Sequence, residues 1–249
     1  MMHPFFVSTR PLVFAHRGGG ALAPENTMAA FDNGLALGAD GIELDVRLSC
    51  DGVVVVHHDR TLDRTTPLKG AVAARTADEL SRAGIPTLAS VLAAYRDARV
   101  IVELKLNQRE LAAAAVGVIR DAGAVDRVCV GSFGYRVLRA VRGLEPAVAT
   151  SAAREEVRWA LYRSKLGWPV GSAKYDGYQV PEFAGPTRVI SERFVQDAHG
   201  AGLGVQAWTV DAVADARRLM AWGVDGLITD RPDLIVPIVQ AARPAAADL

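Results

Sequence analysis

"LVFAHRGGGALAPENTMAAFDNGLALGADGIELDVRL", residues 12–48, contains two apolar runs separated by a glycine-rich turn and an amphipathic segment. The runs have the length of buried strands, and the segment between them has the apolar spacing of a helix. This segment closes on Gly38, and glycine is a common signal for the end of a helix. The stretch therefore predicts a strand, a helix and a second, parallel strand.

The same alternation continues through the rest of the chain. Eight apolar runs fit buried strands, and helical spacing follows most of them. The runs are LVFA (12–15), GIELDVRL (41–48), VIVEL (100–104), RVCVGSF (127–133), AVATS (147–151), GYQVPE (177–182), LGVQAWTV (203–210) and VDGLITD (224–230). Eight repeats in this length predict one (β/α)8 barrel domain, a TIM barrel, over residues 1–249, with a doubly wound sheet as the alternative.

A ninth apolar run, VVVVHH at 53–58, does not fit the alternation. It follows GIELDVRL after only four residues, which is too short for a parallel crossover, and Asp51-Gly52 is a strong hairpin signal. A turn centred on that pair would place His58 opposite Asp45. The sequence therefore predicts a β-hairpin at the second strand.

Three segments show no clear pattern. Residues 59–86 are predicted to be a small irregular insertion after the hairpin. Residues 154–176 and 182–191 are predicted to be loops that, together with the insertion, determine which ligand binds.

Composition narrows the range of partners. Lys plus Arg and Asp plus Glu both total 28, so bulk charge does not indicate a nucleic acid or an anionic membrane. No apolar run reaches the roughly 18 residues that span a bilayer, and the N-terminus lacks the basic start of a signal peptide. We expect a cytoplasmic protein that binds a small molecule, with no exposed amphipathic or strongly apolar segment near the barrel mouth. The oligomeric state is not determined by the sequence.

The glycines after the first strand suggest a nucleotide loop. Gly18, Gly20 and Ala23 match the dinucleotide fingerprint G-x-G-x-x-A. However, Pro24 stands where the helix of that motif must already supply backbone donors. We therefore favour a different phosphate site.

His16 and Arg17 stand at the carboxyl end of the first predicted strand, where barrel enzymes build their active sites. The planar guanidinium of Arg17 suits a phosphate. In this interpretation the three glycines let the backbone approach the ligand closely.

Three carboxylates belong to the same predicted barrel mouth. Glu43 and Asp45 alternate with apolar residues and share one side of a strand, and Glu103 ends another strand, on the same face as Lys105. Neighbouring buried carboxylates repel unless a cation lies between them. The set suits Mg²⁺ or Ca²⁺ better than zinc. The alternative is a buried ion pair of Glu43 with Arg17 or Lys105 and no metal.

Two histidines suit proton transfer at such a site. The hairpin returns His58 toward the mouth, where His16 arrives from the first strand, and two imidazoles can act as base and acid near pH 7. His57 points the other way and is predicted to be structural. His199, in a helical segment, is predicted to lie on the surface.

Two later strands add further candidates. Trp208, near the end of the seventh strand, suits either a wall against the carbon skeleton of a ligand or core packing. Gln206 shares its face and could donate a hydrogen bond. Asp230 and Arg231 are predicted to form a structural ion pair or loop cap.

At these residues the chain closely resembles the glycerophosphodiester phosphodiesterase family. The resemblance covers nearly the whole chain, from residue 15 to about 233. The matching pieces, in order, are AHRGGGALAPENT, GADGIELDVRLSCDGVVVVHHDRTLDRTT, IPTL, VIVELK, GSF, GLGVQAWTVD and WGVDGLITDRPD.

The resemblance implies a TIM barrel with a small insertion, a divalent cation, and hydrolysis of a glycerophosphodiester to an alcohol and sn-glycerol 3-phosphate. The site residues it implies are the acid/base pair His16 and His58, the phosphate-binding Arg17 and Lys105, the metal ligands Glu43, Asp45 and Glu103, and Trp208 as a wall for the glycerol. Glu25 and Asn26 of PENT would brace the site or cap the next helix.

Two other functions are compatible with these motifs. A lysophospholipase D-type enzyme would use the same fold and metal site on longer lipids. A catalytically silent phosphate-binding barrel would need Arg17 and Lys105 but not His58. The sequence favours hydrolysis of small diesters and leaves open the metal, the head group, and whether water or the glycerol 2-hydroxyl attacks first.

Overall fold

The computed structural model describes residues 2–242, which include a parallel barrel of eight strands. In chain order the strands are β1 Leu12–His16, β2 Gly41–Leu48, β3 Val54–Val56, β4 Arg99–Leu104, β5 Val128–Gly131, β6 Ala149–Thr150, β7 Gly177–Pro181, β8 Phe183–Ala184, β9 Thr187–Arg188, β10 Gly204–Trp208 and β11 Gly226–Thr229. The barrel order is β6-β5-β4-β2-β1-β11-β10-β7. A single parallel bridge between Ser151 and Gly177 joins β6 to β7. The barrel prediction is confirmed.

Helices pack around the barrel. In chain order they are α1 Met28–Ala36, α2 Ala77–Arg82, α3 Leu88–Ala94, α4 Arg109–Asp121, α5 Tyr135–Leu144, α6 Arg154–Lys165, α7 Glu192–Gly200, α8 Val213–Ala221 and α9 Pro232–Ala241. None of the helices within residues 2–242 is long and apolar enough to cross a bilayer.

The two predicted loops contain regular structure. α6 occupies the start of 154–176, and the short antiparallel pair β8–β9 lies within 182–191. The sequence pattern does not predict α6 because only Val157, Ala160 and Leu161 form an apolar inner face. Most of the other positions in the helix are polar or aromatic. The insertion at 59–86 is mostly irregular, as predicted, apart from α2 and a single 3-10 turn.

The amino end of the barrel is filled by the N-terminal segment. Phe5 and Phe6 are buried with Phe14 of β1 in the barrel interior. Phe6 lies directly against the backbone of Gly177 and Gly204, where a Cβ atom would come within 2.5 Å of its ring. Because this end is packed with apolar side chains, the polar residues of the interior gather at the carboxyl end.

The hairpin forms one register away from the predicted one. Val46 pairs with Val56, and a three-residue turn replaces the two-residue turn centred on Asp51-Gly52. Gly52 adopts a left-handed φ of 79°, which is typical of a three-residue hairpin loop. His57, rather than His58, therefore lies across from Asp45, and its N–H donates to the Asp45 carbonyl at 2.8 Å.

Candidate active site

A cavity of about 920 Å³ opens at the carboxyl ends of the barrel strands. It is lined by all eight side chains predicted from the sequence, His16, Arg17, Glu43, Asp45, His58, Glu103, Lys105 and Trp208. They come from β1, β2, β4 and β10 and from the segments that follow β1, β3 and β4. Barrel closure thus brings together groups that are far apart in the chain.

The three carboxylates lie on neighbouring strands. Asp45 of β2 pairs in register with Glu103 of β4, and Glu43 is two residues earlier on the same face of β2. Burial, and then the charge of Asp45, raise the pKa of Glu43 well above its usual range. Burial is also the main cause that raises the pKa of Glu103 to about 8, with Lys105 opposing it.

The donor set of these acids consists of carboxylate oxygens, which are the ligands that Mg²⁺ and Ca²⁺ prefer. Among residues 2–242, no group of three or more His, Cys, Asp or Glu side chains is arranged so that it could hold a metal ion. The chemistry of the three oxygen donors, by contrast, fits a divalent cation.

Asp45 is held by two cations. Arg17 Nε lies 3.2 Å from Asp45 Oδ2, and Lys105 Nζ lies 3.1 Å from Oδ1. Burial opposes ionisation of Asp45, but Lys105 and Arg17 outweigh it and lower the pKa of the carboxyl. The ion pair considered for Glu43 thus forms at Asp45 instead, while Glu43 accepts the backbone N–H of Arg17 at 3.1 Å.

His16 is oriented by a residue from the opposite end of the chain. Its Nδ1 lies 2.8 Å from Asp230 Oδ1, and its Nε2 lies 3.8 Å from Glu43 Oε2. Burial alone would lower the pKa of His16, but the charge of Glu43 and the bond to Asp230 raise it. The predicted Asp230–Arg231 ion pair is wrong, because Arg231 pairs with Asp233 at 2.7 Å. The position of Asp230 just after β11 was the signal for a site residue.

His58 belongs to a chain of ion pairs that reaches Arg17. His58 Nδ1 lies 2.7 Å from Asp59 Oδ1, and Arg64 Nε donates to Asp59 Oδ2 at 2.6 Å. Arg64 also bonds Glu25 at 2.6 Å, and Glu25 accepts from Arg17 at 3.1 Å. Burial is the main cause that lowers the pKa of His58, against the bond to Asp59. Asp59 and Arg64 were not predicted, although both lie in the HDRTLDRTT motif.

The PENT segment braces the site. Asn26, buried and left-handed at a φ of 58°, donates to Asp45 Oδ2 at 2.9 Å and accepts from the Asp45 N–H at 3.2 Å. Glu25 holds Arg17, as described. The helix cap comes from the next residue, because Thr27 Oγ1 accepts the N–H of Ala30 at 3.2 Å.

The remaining predicted residues divide between cavity and core. Trp208 lines the cavity and stands edge-on to Phe133, with 6.1 Å between ring centroids. Gln206 is fully buried and accepts from Gln179 at 2.9 Å, so the expected donor to a ligand is not placed at the cavity wall. His57 is buried, with Nε2 3.1 Å from the carbonyl of Thr61, in agreement with a structural role.

The glycines after β1 face the scaffold. None of residues 18–20 lines the cavity, which corrects the interpretation that they make room for a ligand. Gly18 lies against α1, where a Cβ atom would be 2.6 Å from the backbone of Ala30, and its φ is 88°. The glycines thus allow a tight left-handed turn that aims His16 and Arg17 into the cavity.

Gly18→Ala is expected to lower the free energy of unfolding by about 2–5 kcal/mol. The change combines the cost of a left-handed alanine with overpacking against Ala30. Urea denaturation measures it. Gly117→Ala is the matched control, since open space surrounds Gly117 within α4 and removal of a helical glycine raises stability by about 0.5–1 kcal/mol. Equal stability of the two variants would contradict the packing role of Gly18.

Known proteins share both sequence and fold with this chain. The sequence model of the glycerophosphoryl diester phosphodiesterase family matches residues 16–234. A Mycobacterium tuberculosis protein named probable glycerophosphodiester phosphodiesterase 2 is 37% identical, over 92% of this chain and 91% of its own length. A glycerophosphodiester phosphodiesterase of Caldanaerobacter subterraneus is 33% identical, over 93% and 98%.

A solved structure shows the same architecture. It is an Oleispira antarctica phosphodiesterase in complex with the product sn-glycerol-3-phosphate. It is 28% identical to this chain and superposes with a TM-score of 0.74, over 93% of this chain and 98% of its own.

Proposed function

This chain belongs to the glycerophosphoryl diester phosphodiesterase family, and we propose that its cavity hydrolyses small glycerophosphodiesters to an alcohol and sn-glycerol 3-phosphate with a divalent cation and two histidines. The observation that carries the proposal is the lining of one cavity by two imidazoles and three carboxylates, with the cationic side chains of Arg17 and Lys105 beside Asp45. The product bound to the Oleispira antarctica phosphodiesterase supports glycerol phosphate as the retained half of the substrate. The cytoplasmic location stays a prediction.

The cation would be Mg²⁺ or Ca²⁺, held by Glu43, Asp45 and Glu103. These acids offer oxygen ligands, and burial, with a further contribution from neighbouring carboxylates, raises the pKa of Glu43 and Glu103, so a cation would favour their ionised forms. When bound, the ion supplies Lewis-acid charge beside a phosphate oxygen.

The side chains divide the rest of the work. Arg17 and Lys105 neutralise phosphate oxygens, and their cationic groups already meet at Asp45. One histidine removes the proton from the nucleophile and the other protonates the oxygen of the leaving alcohol. Asp230 and Asp59 hold the two rings through Nδ1, which leaves each Nε2 for proton transfer.

Release of sn-glycerol 3-phosphate from glycerophosphocholine tests this function. EDTA-treated protein is expected to be inactive, and Mg²⁺ or Ca²⁺ is expected to restore release. Tight binding of glycerophosphocholine without release would favour the silent barrel. Full activity in EDTA would contradict the cation.

Cation binding is expected to raise the Tm of EDTA-treated protein by about 5–10 °C. A ligand at about 100 times its Kd stabilises by about 2.7 kcal/mol, and 1 kcal/mol corresponds to about 2–4 °C in a chain of this size. Differential scanning fluorimetry measures the shift. The Glu103→Gln variant should show no rise in Tm when the cation is added. The Glu110→Gln variant, which changes a residue on the exposed side of α4, should show the full rise. An unchanged Tm at saturating Mg²⁺ and Ca²⁺ would exclude the site.

The apolar lining of part of the cavity also supports a second candidate function, a lysophospholipase D-type activity. The cavity extends along α6 and the β8–β9 hairpin. Apolar side chains line this part, and the basic residues of α6 at 154, 158 and 165 line it as well. The apolar side chains are Phe133, Val157, Leu161, Phe183 and Val189. The expectation that no apolar segment lies near the mouth is therefore wrong. Comparing release from lysophosphatidylcholine and glycerophosphocholine tests this candidate, and Leu161→Arg should reduce only the former.

A further inference from the structure

The outer face of α6 carries large apolar side chains in solvent. Trp159, Tyr162 and Leu166 recur at spacings of three and four residues, and Trp168 follows in the turn after the helix. Each is between 47% and 56% exposed. Such a continuous apolar surface is typical of an interaction site. We call these four residues the α6 patch.

The rings of the α6 patch are ordered against one another. Trp159 and Tyr162 stack with centroids 5.8 Å apart, and Trp168 stands edge-on to Tyr162 at 6.5 Å. The Arg163 guanidinium lies 6.0 Å from the centroid of the Trp159 ring and donates to the Pro169 carbonyl at 2.7 Å. Little rotamer entropy is left to lose when the patch binds. Trp and Tyr are also the residues that concentrate at the membrane–water interface.

The helix is cationic although the whole chain is neutral. It carries four basic residues against two acids, and one of these acids, Glu156, pairs with Arg142 at 2.8 Å. Arg158 and Lys165 make no ion pair with any part of the chain that the structure describes. Exposed cations beside exposed aromatic rings complement the charge and the interior of an anionic lipid surface.

The α6 patch adjoins the cavity. Tyr162 belongs to both, and the exposed cations Arg158 and Lys165 also stand at the cavity wall. Val157 and Leu161, on the inner side of the same helix, line the cavity as well. A surface bound at the patch would thus lie next to the cavity.

We propose that the α6 patch docks this protein on an anionic lipid surface. A symmetric contact with a second copy is the weaker choice, because a two-fold axis through the patch would bring Arg158 and Lys165 close to their own copies. The proposal concerns binding and does not rest on the reaction.

Co-sedimentation with vesicles tests the proposal. The unchanged protein should bind vesicles of phosphatidylcholine with phosphatidylglycerol, bind phosphatidylcholine alone much more weakly, and dissociate from the anionic vesicles as salt rises. Trp159→Ala with Trp168→Ala should weaken binding by about tenfold or more. Arg158→Ala with Lys165→Ala should weaken it by about 25-fold, since each cation near the surface contributes about fivefold.

Controls separate docking from folding and catalysis. Leu37→Ala and Arg96→Ala, which change exposed side chains outside α6, should bind vesicles normally. The double tryptophan variant should still release sn-glycerol 3-phosphate from glycerophosphocholine. If that activity is absent in the unchanged protein, the proposed function fails while vesicle binding still decides the docking.

Three results would overturn the proposal. The first is equal vesicle binding by the unchanged protein and both double variants, and the second is no binding to anionic vesicles. The third concerns another partner: the double tryptophan variant loses a dimer, or a complex with single-stranded RNA, that the unchanged protein forms, but it still binds vesicles normally.

Discussion

Replacing either His16 or His58 with alanine should lower the turnover of glycerophosphodiesters by about 10²–10⁴-fold, the usual contribution of a positioned acid or base. Both rings line the cavity, and each is oriented through Nδ1 by its own carboxylate. Neither ring belongs to an apolar cluster, so both variants should fold. Steady-state release of sn-glycerol 3-phosphate measures the effect.

The double variant makes the prediction sharper. If the two histidines serve one proton-transfer sequence, His16→Ala with His58→Ala should lose little more than the worse single variant, because groups that act as a unit are not additive. His199→Gln is the control, since that ring is partly exposed and bonds Asp225 at 2.9 Å, outside the cavity. Near-normal rates in both single variants would show that the roles are wrong.

Asp230→Asn should lower kcat by as much as about 10⁴-fold with a much smaller change in KM. The carboxylate fixes the tautomer and the direction of the His16 ring through a 2.8 Å contact with Nδ1, and an amide can hold the ring in the wrong tautomer. In the proposed function Arg17 and Lys105 bind the substrate, and Asp230 makes no ion pair with either of them in the structure.

Asp233→Asn is the matched control for Asp230. It changes the same atoms three residues later, in a surface pair with Arg231, and should leave kcat unchanged. A positioning role for Asp230 further requires that Asp230→Glu recovers part of the lost kcat. A rise in KM with normal kcat in Asp230→Asn would contradict this role.

The spacing of apolar residues within each segment was sufficient to predict most of the fold. The eight strands and most helices follow from apolar spacing within each segment, which tertiary contacts do not override here. α6 was missed because its outward face is itself apolar, so its pattern does not separate an inner from an outer side. The predicted hairpin register was wrong by one residue. The turn that follows Ser49 and ends at Gly52 has three residues, whereas the prediction assumed a two-residue turn.

For the candidate site, the sequence by itself placed seven side chains on or just after barrel strands and His58 on the hairpin, because strand direction and the two-residue alternation are local properties. It did not identify their partners. Asp230 meets His16 across 214 residues and Arg64 meets Glu25 across 39. Closure of the barrel sets β1 beside β11, and the fold of the insertion brings Arg64 to Glu25. Only these long-range contacts decided which carboxylate orients which ring, and which cations hold Asp45.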